Sequence, residues 1–182
     1  ADTGELISAG NFHGQPLAFA LDFMTIAATE LGNISERRTE RLLAPERSCG
    51  LPAFRSPRPG INPGYPSLQY TAAALVAESR VLSHPASVES IPTSGSQEDH
   101  VSMGWGAGRK LFQVLENISH VLAVEILCAV QGIEYRQPLV PAPRLATVVS
   151  RVREVVPPLE DDRPLTGEIE AVVDLIESGG LT

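Results

Sequence analysis

Two short stretches hold the residues best suited to chemistry. The first, Ser94-Gly95-Ser96-Gln97-Glu98-Asp99-His100, sets an amide, two carboxylates and an imidazole side by side. Ser94 with Gln97, or Ser96 with Asp99, has the spacing of a capping box, so a helix is expected to start here. Glu98 and Asp99 would then complement its dipole. A carboxylate so placed also stays ionised and can accept a hydrogen bond from a ligand N–H, and the two roles are compatible. The second stretch, Asn11-Phe12-His13-Gly14-Gln15-Pro16, follows the strand-like ELISAG. Phe12 is too large for a casual turn residue and reads as a core plug or as the wall of a pocket.

The remaining candidates carry less. His13, His84, His100 and His120 fall in four separate segments without an i, i+3 or i+4 pair, which argues against a metal site built from them. No Gly-x-Ser-x-Gly elbow supports a hydrolase triad. Gly104-Trp105-Gly106-Ala107-Gly108 reads as small residues inside a helix that permit close packing, not as a phosphate loop. Cys49 and Cys128 lie in no metal or redox spacing and read as reduced thiols of a cytosolic protein. Of the two tyrosines near the second helix, Tyr70 is expected in the core and Tyr65 in loop packing.

The elements that must position these residues are mainly helical. Pro16 suits a first helical position, and Leu17, Ala20, Leu21, Met24, Ala27, Ala28 and Leu31 follow at helical spacing. Phe19, Phe23 and Ile26 fill other faces, so this helix is expected to be buried all round. Residues 1–43 thus form a pocket loop with a short strand and a buried helix, and 44–66 form an irregular connection rich in proline and glycine. Residues 67–132 hold a helix ended by His84-Pro85, a loop, and a long helix over about 96–132. That helix has the expected stripe Val101, Trp105, Phe112, Leu115, Leu122, Ile126 and Ala129. Residues 133–182 hold two short helices, one opened by Pro143 and one lined by Ile169, Val172, Val173 and Ile176 and capped by Gly179.

The 182 residues are 43% hydrophobic and 20% charged, as in a globular protein with a real core. A net charge of −8, with no basic block beyond Arg37-Arg38, argues against nucleic acid or an anionic membrane surface as partner. Asp22 and Glu30 interrupt the longest apolar run, which argues against a membrane span. Ala1 starts neither a leader nor an initiator methionine, so the chain is expected to begin within a longer protein. A helix of roughly 36 residues would be ~54 Å long. A compact domain of this length is only about 40 Å across. The expectation is a slice of a larger bundle or an obligate oligomer.

Six segments carry a resemblance that runs in order over essentially all of 1–182. They are NFHGQPLAFALDF, ELGNISERR, GLPAF, QYTAAALVAE, LSHPASVESIPTSGSQEDHVSMGW and the closing DDRPL with IEAVVDLIESG. The chain resembles the C-terminal third of the bacterial histidine ammonia-lyases, within the aromatic amino acid ammonia-lyase and aminomutase superfamily. The resemblance implies elimination of ammonia from L-histidine to give trans-urocanate. It also implies a methylidene-imidazolone electrophile formed from an Ala-Ser-Gly tripeptide. This chain contains no Ala-Ser-Gly. In the family the tripeptide, and the tyrosine usually assigned as base, belong to the N-terminal part. The implied identity is a part of such an enzyme, inactive alone.

Residue by residue, Phe12 matches the phenylalanine that lines the family's site beside the electrophile. Glu98 matches the carboxylate that meets the substrate imidazole, with Gln97 beside it. Phenylalanine and tyrosine lyases have Asn-Gln-Asp where this chain has Ser96-Gln97-Glu98, which favours histidine. Ser96 departs from the asparagine common in histidine lyases, and Tyr70 resembles a phenol-contacting tyrosine of tyrosine aminomutases. The resemblance further implies a cytoplasmic homotetramer around a central helical bundle, each site drawing on three subunits, with Arg37 and Arg38 structural. Two alternatives remain open at this point: a tyrosine or phenylalanine lyase or aminomutase, and a non-catalytic helical scaffold kept for oligomerisation.

Overall fold

A computed structural model describes residues 2–181; Ala1 and Thr182 lie outside the described residues. Five helices follow one another: α1 (Gln15–Leu43), α2 (Pro66–Leu82), α3 (Gly104–Glu134), α4 (Pro143–Val155) and α5 (Thr166–Glu177). Pro16 and Pro143 stand in the first turns of α1 and α4, where a missing N–H costs nothing. At the far end, Gly179 takes φ +70° after α5, and the Gly180 N–H returns to the Leu175 carbonyl at 2.8 Å.

Side-chain pairs set the helix directions. Gly14 lies beside Ser102 and Gly104, Gly32 lies against Ile118, and Arg38 bonds Glu125, so α1 and α3 run parallel. Gln69 bonds Glu36 at 2.9 Å and Thr29 bonds the Ser79 carbonyl at 3.3 Å, so α2 runs antiparallel to both. Val121, Val124, Leu127 and Cys128 of α3 form the centre of the core, met by Leu68, Ala72 and Val76 of α2 and by Val172 of α5.

Four expectations are corrected. ELISAG forms no strand, and Leu6 and Ile7 are exposed, because no neighbouring strand pairs with it. The long helix starts at Gly104, not near Ser96, and its 31 residues span ~46 Å. Ser94, Gly95 and Ser96 all take left-handed backbone (φ 52°, 64° and 70°), which no helix can pass through. Its stripe is also re-phased: Ala107, Leu111, Val114, Ile118 and Val121 are buried, while Trp105, Phe112 and Leu115 are exposed.

The first helix, expected to be buried all round, buries one face only. Up to Leu43 at its end, that face is small and polar: Ala18, Asp22, Thr25, Thr29, Gly32, Ser35, Glu36 and Thr39. Leu17, Phe19, Phe23, Met24, Ile26, Leu31 and Ile34 point outward. Small residues let α1 approach α3 closely, with Gly32 packed so that a methyl group there would meet Ile118 at 3.2 Å. The hydroxyls of Thr25 and Thr29 are satisfied by carbonyls four residues back at 2.8 Å.

By length and composition α1 and α3 could each cross a bilayer. The core helices of globular proteins meet the same criterion, and the buried face of α1 carries Asp22 and Glu36. The connection from α1 to α2 places Arg55 wholly inside the core, and Pro66, expected within that connection, is the first residue of α2.

Candidate active site

The two stretches first singled out meet at one end of the bundle. His13 is the link. Its Nε2 lies 2.8 Å from the His100 carbonyl oxygen, and its Nδ1 accepts the Gln15 backbone N–H at 3.2 Å. The His13 and His100 rings stack with centroids 5.4 Å apart and planes 8° from parallel. Phe12 sits beside them, its ring centroid 6.3 Å from that of His13 and tilted by 60°. Sequence separation hid this pair, since its members stand 87 positions apart.

The second stretch is a closed loop on a fixed base. Thr93 and Glu98 exchange two backbone hydrogen bonds, at 3.0 and 3.3 Å, across the left-handed Ser94-Gly95-Ser96 turn. At the base, the Ser90 hydroxyl takes the Val101 N–H at 2.8 Å, and a side chain at Gly14 would meet Ser102 Oγ at 3.1 Å. Gln97, Glu98 and Asp99 are therefore displayed from a tight loop and not from a helix N-terminus, which corrects the capping-box expectation. The Glu98 carboxylate is exposed and bonds to no described residue. Phe12 is 83% exposed. Both are open on the outer side.

Asp22, which the sequence shows only as an interruption of an apolar run, anchors the segment that leads into the Ser90–Val101 base. It is 3% exposed and accepts the Ser87 N–H at 2.7 Å. Gln15 Nε2 donates to the Ser87 carbonyl at 2.9 Å, so α1 holds this segment twice. Burial alone would raise the Asp22 carboxyl, but the Ser87 hydrogen bond, the neighbouring Ala86 backbone and the nearby Lys110 outweigh it and leave it below its ordinary value. An apolar groove of ≈ 480 Å³ runs alongside, lined by Leu17, Leu21, Ser102, Trp105, Arg109 and Phe112.

Tyr70 is not part of this cluster. It is 69% exposed and lines a small cleft with Glu40, Leu43 and Phe54 at the opposite end of α1. Its neighbour Gln69 bonds Glu36, 22 residues beyond Gly14, so roughly 33 Å of helix separates Tyr70 from Phe12 within one chain. The expected burial of the two tyrosines is reversed: Tyr65 closes the start of α2 inside the core, where burial raises its hydroxyl, and Tyr70 faces out. Arg37 reaches back to the buried Glu36, and Arg38 pairs with Glu125, so both are tied within the bundle.

Among the described residues no three of His, Cys, Asp and Glu converge as metal ligands. Cys49 is exposed and Cys128 buried, and both are free thiols. Burial pushes the Cys128 thiol up to about 12 against the opposing pull of Arg55, which makes it inert as a nucleophile. Among the described residues the cluster thus sets out an exposed aromatic ring, a free carboxylate and an amide.

The family of this helical chain follows from a sequence model that fits it. The model of the aromatic amino acid lyases matches residues 1–154, and the chain belongs to this family. The histidine ammonia-lyase of Anaeromyxobacter sp. (strain K) is 54% identical over 99% of this chain, and that of Symbiobacterium thermophilum is 53% identical over the same share. The chain spans about a third of the length of these curated relatives, 35% of each. Among solved structures, histidine ammonia-lyase from Trypanosoma cruzi superposes with a TM-score of 0.94 at 48% identity, covering 97% of this chain and 35% of that one. Tyrosine aminomutase from Streptomyces globisporus gives 0.93 at 40% identity, over 100% of this chain and 35% of that one. The fold expectation of a mainly helical slice of the ammonia-lyase fold holds.

Proposed function

We propose that this chain is the C-terminal part of a histidine ammonia-lyase and contributes Phe12, Gln97 and Glu98 to its substrate pocket. One observation carries the reading. A free carboxylate and a flat aromatic face stand in adjoining loops, linked by His13 and His100, and both open outward. An imidazole ring is flat, apolar on its faces and carries an N–H at its edge. Phe12 would pack on the face while Glu98 accepts the N–H, with the Gln97 amide beside it. A phenyl ring offers Glu98 no donor, and a polar group buried without a partner costs ~1–3 kcal/mol, more for an ion.

The family's methylidene-imidazolone supplies the electrophile when present. Its Ala-Ser-Gly precursor does not occur in this chain, and Phe12 fits only as a wall against such a ring. The functional enzyme in this reading is a cytoplasmic homotetramer. The outward Leu17, Phe19, Phe23 and Met24 of α1 support burial against further protein. So does the distance of Tyr70 from Phe12, because a Tyr70 contribution would have to come from another copy.

Tyr70 also supports a second reading. An exposed tyrosine and 40% identity to a tyrosine aminomutase suit a phenol substrate. Glu98→Gln in the assembled enzyme separates the two. Expected is a loss of roughly 10- to 100-fold in kcat/KM for histidine with a far smaller change for tyrosine. Equal losses remove Glu98 as the imidazole partner.

A further inference from the structure

We infer that His13 and His100 are a positioning pair that holds Phe12 at a fixed distance from Glu98. This deepens the reading above and rests on it for its catalytic consequence, though not for its geometry. Among the described residues, the contact from His13 Nε2 to the His100 carbonyl is the one hydrogen bond that joins residues 10–14 to residues 97–104. The ring stack and the packing of Gly14 against Ser102 and Gly104 join the same two loops without a hydrogen bond, and the other hydrogen bonds tie each loop to another segment or close it on itself. Gln15 bonds Ser87, Val101 bonds Ser90, and Glu98 closes on Thr93.

The two hydrogen bonds on His13 select one form of the ring. A backbone N–H points at Nδ1, so Nδ1 is the acceptor and the proton sits on Nε2. The N–H on Nε2 then donates to the His100 carbonyl at 2.8 Å. The opposite tautomer would set two donors face to face at Nδ1 and two acceptors face to face at Nε2. The near-parallel stack with the His100 ring adds an apolar contact across the same junction. Phe12 is the residue before His13 and Glu98 is two before His100, so this junction is the shortest route between wall and carboxylate. A shift of about 1 Å between groups that hold one substrate can cost on the order of 100-fold in rate.

The first arm of the test uses the chain itself. Long-range nitrogen–proton NMR reads the His13 tautomer, and cross-relaxation reads contact between the two rings. The expected result is a neutral His13 protonated on Nε2 with direct ring-to-ring cross-peaks to His100. A proton on Nδ1, or no cross-peaks, overturns the inference whatever the enzyme does.

The second arm uses the enzyme assembled with its remaining two-thirds and compares His13→Gln with His13→Asn. The Gln amide nitrogen can occupy the place of Nε2, whereas the shorter Asn amide cannot reach it. Expected for His13→Asn is a rise in KM for histidine of about tenfold, with discrimination against tyrosine lost, and for His13→Gln substantial rescue. Equal effects of the two variants on both substrates would reduce the pair to a fold contact and overturn its positioning role. An assembled enzyme with no lyase activity, together with the expected tautomer and cross-peaks, would sink the lyase reading and leave the geometric inference standing.

Discussion

The Lys110 ammonium stands 3.6 Å from Oδ1 of Asp22 without hydrogen-bonding it. Lys110 donates to the His84 carbonyl instead, and the other Asp22 oxygen takes the Ser87 N–H. The carboxylate therefore acts as a buried acceptor for a loop, with the cation as a neighbouring charge.

Asp22 gives the chain a pH dependence of known sign. Its folded-state value lies below the ordinary 3.8, so the folded chain binds this proton less tightly than the unfolded chain does. The stabilisation is present above the unfolded value and lost as pH falls through the folded one, a window that opens below about pH 5. Thermal unfolding from neutral pH down to pH 3 should show a steeper fall for the natural chain than for Asp22→Asn. Parallel curves would deny Asp22 this role.

Arg55 is 0% exposed, and its Nη1 donates to the Pro52 carbonyl at 2.6 Å. Its Nε and Nη2 find no acceptor in the described chain. A guanidinium keeps its charge, so burial is a net cost that one hydrogen bond does not offset. Arg55→Leu is expected to leave stability unchanged or raise it, by up to about 4 kcal/mol, as when buried charges give way to apolar groups. A fall of more than about 1 kcal/mol in urea unfolding would show that the charge is compensated.

Gly64 has φ +78°, and a methyl group there would sit 2.5 Å from the Phe54 carbonyl oxygen. That carbonyl also receives the Tyr65 N–H at 2.9 Å, so it cannot step aside freely. Gly64→Ala should destabilise the chain by more than about 2 kcal/mol. Gly50 has a similar φ of +82° with open space around it, and Gly50→Ala should cost only the conformational ~1 kcal/mol. Equal urea midpoints for the two variants would exclude the clash.

Local signals made the helix ends legible. Proline at the first turns of α1 and α4 and glycine after α5 act within a few residues of themselves, so the sequence carries them directly. Which face of α1 turns inward is not a local property. Its buried face is chosen by close approach to α3, which favours Gly32, Thr25 and Ser35 over Leu and Phe, and a search for an apolar stripe points the wrong way. The start of α3 was hidden for a related reason. Ser94 and Ser96 have the composition of a cap but lie in left-handed backbone closed by Thr93 and Glu98. Phe12 and Glu98 could be picked out as candidates, whereas their connection through His13 and His100 exists only once the chain is folded.

The polar inner face of α1 has a consequence for how the chain can vary. Bundle closure and the exposed apolar surface are written on opposite sides of one helix. Enlarging Gly32 or deleting the hydroxyl of Thr29 alters how the bundle closes, while exchanging Phe19, Phe23 or Ile26 leaves that closure untouched and changes only what the surface clings to. The two properties can drift independently, so a chain of this design can acquire a new mode of assembly without first renegotiating its own architecture.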